Sequence, residues 1–161
     1  MAYGQEIEDY KLKIAHDLLS DNEIVSCIEE VIPEEKKAEL DGLMYSYIFP
    51  YVFIPQTLQD VGCYICFELY VPKVSTVNYF FKDVIFEFTV ICHQDVMRTS
   101  GGYIRTDHIA HLIEKIFNQN DQYTFKKLDL VSSVPGHVTQ THRCRTVRFV
   151  AEDLNVKPPD C

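Results

Sequence analysis

Apolar positions along this chain change their period twice. Ile7, Tyr10, Ile14 and Leu18 recur three or four residues apart, which marks one face of a helix. Ser20 to Glu23 has the Ser-x-x-Glu form of a capping box, and Ile24, Val25, Ile28 and Val31 make a second helical stripe that Pro33 stops. The segment Pro33–Leu40 predicts one more short helical turn, with a proline at its first position. After Gly42 the period becomes two. Residues 43–54 are rich in Tyr, Ile, Phe and Val and predict a strand, with Pro50 marking an edge position or a break. Over residues 63–71, Cys63, Ile65, Phe67, Leu69 and Val71 share one face, and Tyr64, Cys66, Glu68 and Tyr70 the other, the pattern of a half-buried strand. Residues 81–93 repeat it, with Val84, Phe86, Phe88, Val90 and Cys92 on the apolar face. The segment between these two strands is long enough for a hairpin with an extended tip.

A helix follows, capped by Thr106 or Asp107, with Ile109, Leu112, Ile113, Ile116 and Phe117 on its apolar face. Two further strands are predicted near 124–132 and 143–151, separated by the turn-rich stretch Ser132–Thr141. The order is α-α-β-β-β-α-β-β. Helices beside a mostly antiparallel twisted sheet of about five strands predict an α+β fold. A length of 161 residues fits a single domain: a helical part over 1–42, a sheet–helix core over 43–152 and a loose tail over 153–161.

Composition narrows the function classes. Hydrophobic residues make up 47% of the chain, with ten Tyr and ten Phe, enough for a substantial core. The formal charge of −9 argues against a surface built to grip nucleic-acid phosphates or anionic membranes. The longest apolar run, Tyr47–Pro55, is too short for a membrane span and is broken by Pro50 and Pro55. The first residues lack the apolar core of a signal peptide, so the six cysteines are expected as reduced thiols of a cytosol.

Candidate chemistry concentrates between Val90 and Asn118, where Cys92, His93, Asp95, Asp107, His108 and His111 fall close together. Cys92 and His93 are adjacent in a strand and point to opposite faces, which keeps them from sharing one metal unless the strand ends between them. His108 and His111 lie off the apolar stripe of their helix and lack the His-Glu-x-x-His arrangement of a zinc protease. Cys63 and Cys66 form a Cys-x-x-Cys in mid-strand, where positions three apart face opposite ways, so buried structural thiols are expected. Thr99–Gly102 reads as a flexible turn, because it lacks the Gly-Lys-Ser/Thr ending of a phosphate-binding loop and Asp107 would repel phosphate.

A cluster of arginines points toward partners. Arg143 and Arg145 share one face of the last strand and Arg148 the other. The bland reading is solvent exposure or pairing within the chain. The functional reading is a salt-bridged seam between subunits, with Glu68, Glu87 or the acidic N-terminal helices as counter-charges. Tyr64 and Tyr70, on the less apolar face of their strand, suit an interface. Arg98 and Arg105 flank two glycines in a projecting loop, Met97–Tyr103, expected to order on contact with a neighbour.

Taken together, Tyr47–Pro55, Val61–Val74, Phe81–Thr99, Ile104–Asn118 and the Arg-rich closing strand resemble the small head–tail connection proteins of tailed bacteriophages, in particular tail terminator (tail completion) proteins of phages of Gram-positive bacteria. The resemblance covers about residues 43–150. It implies a homo-oligomeric ring, a hexamer, that caps the tail tube and offers a docking surface to the head connector. The implied partners are other copies of the chain, the tail tube protein, a head-completion or connector protein and the tail sheath. DNA would pass through the lumen without specific binding. The implied location is the virion neck, after assembly in the host cytoplasm, with no cofactor and no catalysis. Two alternatives stand beside it. One is another neck component, such as a head-completion protein. The other is a small metal-binding enzyme using His93, Asp95, His108 and His111, or a ligand-binding domain with an aromatic-lined pocket under the 106–117 helix.

Overall fold

The structure, a computed structural model, describes residues 3–52, 61–72 and 80–154. Phe53 and Ile54 of the predicted first strand, the hairpin tip over 73–79 and the tail over 155–161 lie outside the described residues.

Helix α1 spans Tyr3–Ser20 and buries Ile14 and Leu18 completely, with Ile7 and Tyr10 packed at the margin of the core. Helix α2, Asn22–Glu29, begins one residue later than the capping-box pattern suggested. Asp21 is the cap: its Oδ1 accepts from the Glu23 and Ile24 amides, both at 3.0 Å, and the Ser20 hydroxyl donates back to the His16 carbonyl. A carboxylate here satisfies two amides the helix leaves open and also favours the positive end of its dipole. The short α3, Glu34–Lys37, follows Pro33, which occupies the capping position rather than the first helical one.

Within the described part of the predicted strand, residues 43–52, the strand is β1, Ile48–Phe49, which runs parallel to its neighbour. Upstream the chain turns tightly, with the Tyr47 and Ile48 amides donating to the Leu43 carbonyl and Tyr45 held at φ 63°. Pro50, lacking a ladder donor, follows directly. Strands β2, Cys63–Tyr70, and β3, Phe81–His93, lie where alternation predicted and pair antiparallel from Cys63↔Cys92 to Tyr70↔Ile85. β2 is buried on both faces at its start rather than on one, because Tyr47 stacks on Tyr64 at 5.4 Å and Phe49 lies beside it.

Helix α4, Arg105–Phe117, starts at Arg105, with Ile104 before it making no side-chain cap, instead of at a Thr106 or Asp107 cap. Its Ile109, Leu112, Ile113 and Phe117 are buried against the sheet, where Phe88 meets Phe117 at 4.7 Å and Phe149 at 5.9 Å. The fourth strand departs most from the sequence pattern. Residues 124–128 form an irregular connection, and β4 is Asp129–His137, running through the stretch read as a turn before β5, His142–Leu154. Pro135 is tolerated because of its register. Val138 donates to the His142 carbonyl, so alternation turns the Pro135 nitrogen away from β5.

The result is an α+β fold with a five-stranded, mostly antiparallel sheet in the order β1-β2-β3-β5-β4. Polar contacts fasten α1 to it: Glu6 pairs with Lys82, Tyr10 with Asp153, Asp17 with Tyr123, and Lys13 lies 4.5 Å over the Tyr123 ring. Burial, helped by the adjacent carboxylates, pushes the Tyr10 and Tyr123 phenols up, so both stay protonated donors.

Candidate interaction surface

Register places the predicted interface residues one by one. Glu68, Glu87 and Arg148 lie side by side across β2, β3 and β5 on the face away from α4. Two carboxylates directly opposite one another would repel. Arg148 Nε resolves this by binding Glu87 at 2.7 Å, and Lys11 of α1 draws Glu68 aside at 2.6 Å. Tyr70, partly exposed, donates to Glu87 at 3.3 Å. Arg145, on the helix side, binds Asp107 of α4 at 2.8 Å and Ser133 of β4. Arg148, Arg145, Glu68 and Glu87 therefore already have partners within the chain.

Two expected interface residues are core elements instead. Tyr64 is buried beneath Tyr47. Arg105 is only 1% exposed, and its guanidinium donates to the carbonyls of Cys27 (2.6 Å), Val96 (2.8 Å) and Arg98 (3.0 Å) and to Glu30 (3.3 Å). Glu30 in turn accepts from the Ser100 amide at 2.8 Å. Burial alone would raise the Glu30 carboxyl, but the bonds from Ser100 and Arg105 outweigh it and hold the group below its ordinary value. The loop expected to order on contact is thus already closed inside the chain. Thr99 and Tyr103 exchange backbone and side-chain bonds, and Gly102 supplies the positive φ of the turn. Sequence reasoning missed this strut because nothing local signals that a loop arginine turns inward. Arg98 and Arg143 remain exposed and make no ion pair among the described residues.

The histidines do not converge. His93 lies at a strand end beside His142, ring centroids 5.0 Å apart, and accepts from the Asp95 amide. His108 stacks on Tyr103 at 4.6 Å near Glu23, and His111 is exposed on α4. Among the described residues no three His, Cys, Asp or Glu side chains stand together as a metal requires. The space beneath α4, proposed as a ligand pocket, is packed with Phe88, Phe117 and Phe149. An aromatic cleft of about 600 Å³ lies elsewhere, lined by Tyr45, Tyr47, Phe49, Tyr51 and Tyr64 together with Lys36 and Glu39.

The edge of the sheet is the most distinctive open surface. β4 is nine residues long, is exposed along almost its whole length, and carries Leu130, Val131 and Val134 in solvent. No described strand pairs with its outer side.

A family model spans residues 21–151, from the Asp21 cap to Ala151 in β5, which pairs with Val84 of β3. The chain belongs to the YomW family. The YomW match contains β1 to β4, β5 as far as Ala151, α4 and the Glu30–Arg105 strut, and leaves α1 outside it. No curated protein matches the chain. Among the described residues no helix is long and apolar enough to cross a membrane.

Proposed function

We propose that this YomW-family protein is a structural subunit of virion assembly, of the tail terminator kind, that closes into a hexameric ring capping a phage tail tube and receives the head connector there. The observation that carries the reading is β4, a long, exposed, partly apolar edge strand. Such an edge is an aggregation hazard for a lone subunit, and pairing it around a closed ring removes it. Arg98 and Arg143, exposed and without ion-pair partners among the described residues, supply cations for an acidic neighbour. A charge of −9 suits a lumen through which DNA passes without being held. The reading involves no cofactor and no chemical step.

Native mass spectrometry of the chain, alone and mixed with tail tubes, tests it. A metal-free hexamer, or a monomer recruited as a ring to tube ends seen by electron microscopy, supports the proposal. Val131→Lys, an exposed change on β4, is expected to leave the monomer folded and abolish the ring. A monomer that ignores tubes, or one that carries stoichiometric metal, overturns it.

A further inference from the structure

Cys63 and Cys92 face each other across the first register position of the β2–β3 pair, and both are fully buried. The hydrogen-bond pattern says which kind of position this is. His93 donates to the Gly62 carbonyl, so the His93/Gly62 pair is hydrogen-bonded and the next pair inward is not. The Ile65 amide points away from β3 to the Tyr47 carbonyl, which puts Ile65/Val90, and by alternation Cys63/Cys92, in the same non-hydrogen-bonded class. Such pairs bring their Cα atoms to roughly 4.5 Å with side chains on one face. That falls inside the range of about 4.4–6.8 Å that a disulfide spans. The other described thiols are placed differently. Cys66 is on the opposite face of β2, Cys144 faces Gly136 across β4 and β5, and Cys27 is on α2.

We infer that Cys63 and Cys92 form a disulfide-bonding site, at which one intrachain bridge joins the start of β2 to the end of β3. In the reaction, two S–H bonds break and one S–S bond forms. The two electrons and two protons pass to a low-molecular-weight disulfide, whose own S–S bond breaks to give two thiols through a mixed disulfide. Burial pushes the Cys92 thiol up, which keeps it from attacking in the closed fold. The bridge therefore forms while the chain folds or when this strand end opens. The inference stands apart from the proposed ring, since it concerns one subunit.

The test is to refold the denatured chain in a reduced/oxidised glutathione buffer, block remaining thiols by alkylation and map the peptides. Refolding removes burial as a barrier, so the outcome reports geometry alone. The expected result is an intact mass lower by two hydrogens, a linked peptide pair containing Cys63 and Cys92, and a higher thermal midpoint than the reduced protein. Cys27→Ser is expected to keep the bridge and Cys92→Ser to lose it. A refolded chain with no bridge, a bridge to another cysteine, or a bridge that lowers the midpoint overturns the inference.

Discussion

Replacing Arg105 with methionine separates an internal strut from an interface residue. Methionine keeps much of the apolar stem and removes the guanidinium. Three backbone carbonyls, from Cys27, Val96 and Arg98, then lose a charged donor, and Glu30 loses its cationic neighbour. Hydrogen bonds to charged groups are each worth about 1.5–3 kcal/mol, but those from one guanidinium do not add, because the freed groups partly re-solvate. Removing one member of a buried ionic cluster costs about 3–5 kcal/mol. Glu30 is one-third exposed and recovers water, so the lower end applies, about 3 kcal/mol. For a chain of this size that lowers the thermal midpoint by roughly 10 °C. Urea unfolding followed by circular dichroism measures it, with an unchanged slope showing that the same transition is observed. A variant within about 0.5 kcal/mol of the parent that nonetheless failed to assemble would refute the strut and return Arg105 to an interface.

Phe88→Ala is expected to cost about 3–5 kcal/mol, because the ring touches Phe67, Phe117 and Phe149 at the centre of the sheet–helix contact and its loss leaves a cavity; denaturant titration reads it. The pH profile of stability should carry a Glu30 contribution. Its folded value is depressed, so the contribution is present above the ordinary Glu value and lost as pH falls through the folded one. Glu30→Gln should flatten that acid limb, and an unchanged limb in the variant would assign it to other carboxyls.

Local repetition made much of the framework legible. The spacing of Ile14 and Leu18, the alternation over 63–71 and 81–93 and the stripe Ile109–Phe117 each name a face, since a side chain's direction along a helix or strand follows from its position alone. The same alternation set Cys92 apart from His93 and Cys63 apart from Cys66 before any partner was known. It failed where the neighbour decides. Ser132–His137 carries turn residues, yet it is a strand because β5 offers a ladder and the register turns the Pro135 nitrogen outward. Residues 43–52 have strand composition, yet only Ile48 and Phe49 form ladder pairs with β2.

The sequence by itself determined the α+β class, the directions of the core side chains and the excess of negative charge. Tertiary structure alone decided which polar groups are used internally. Arg105 reaches the Cys27 carbonyl 78 residues away and Arg145 reaches Asp107 38 residues away, and no local pattern encodes either meeting. Burial of apolar surface is repeated along the chain and leaves a periodic trace. A charged hydrogen bond is a single long-range coincidence, set by where the packed elements bring two side chains together.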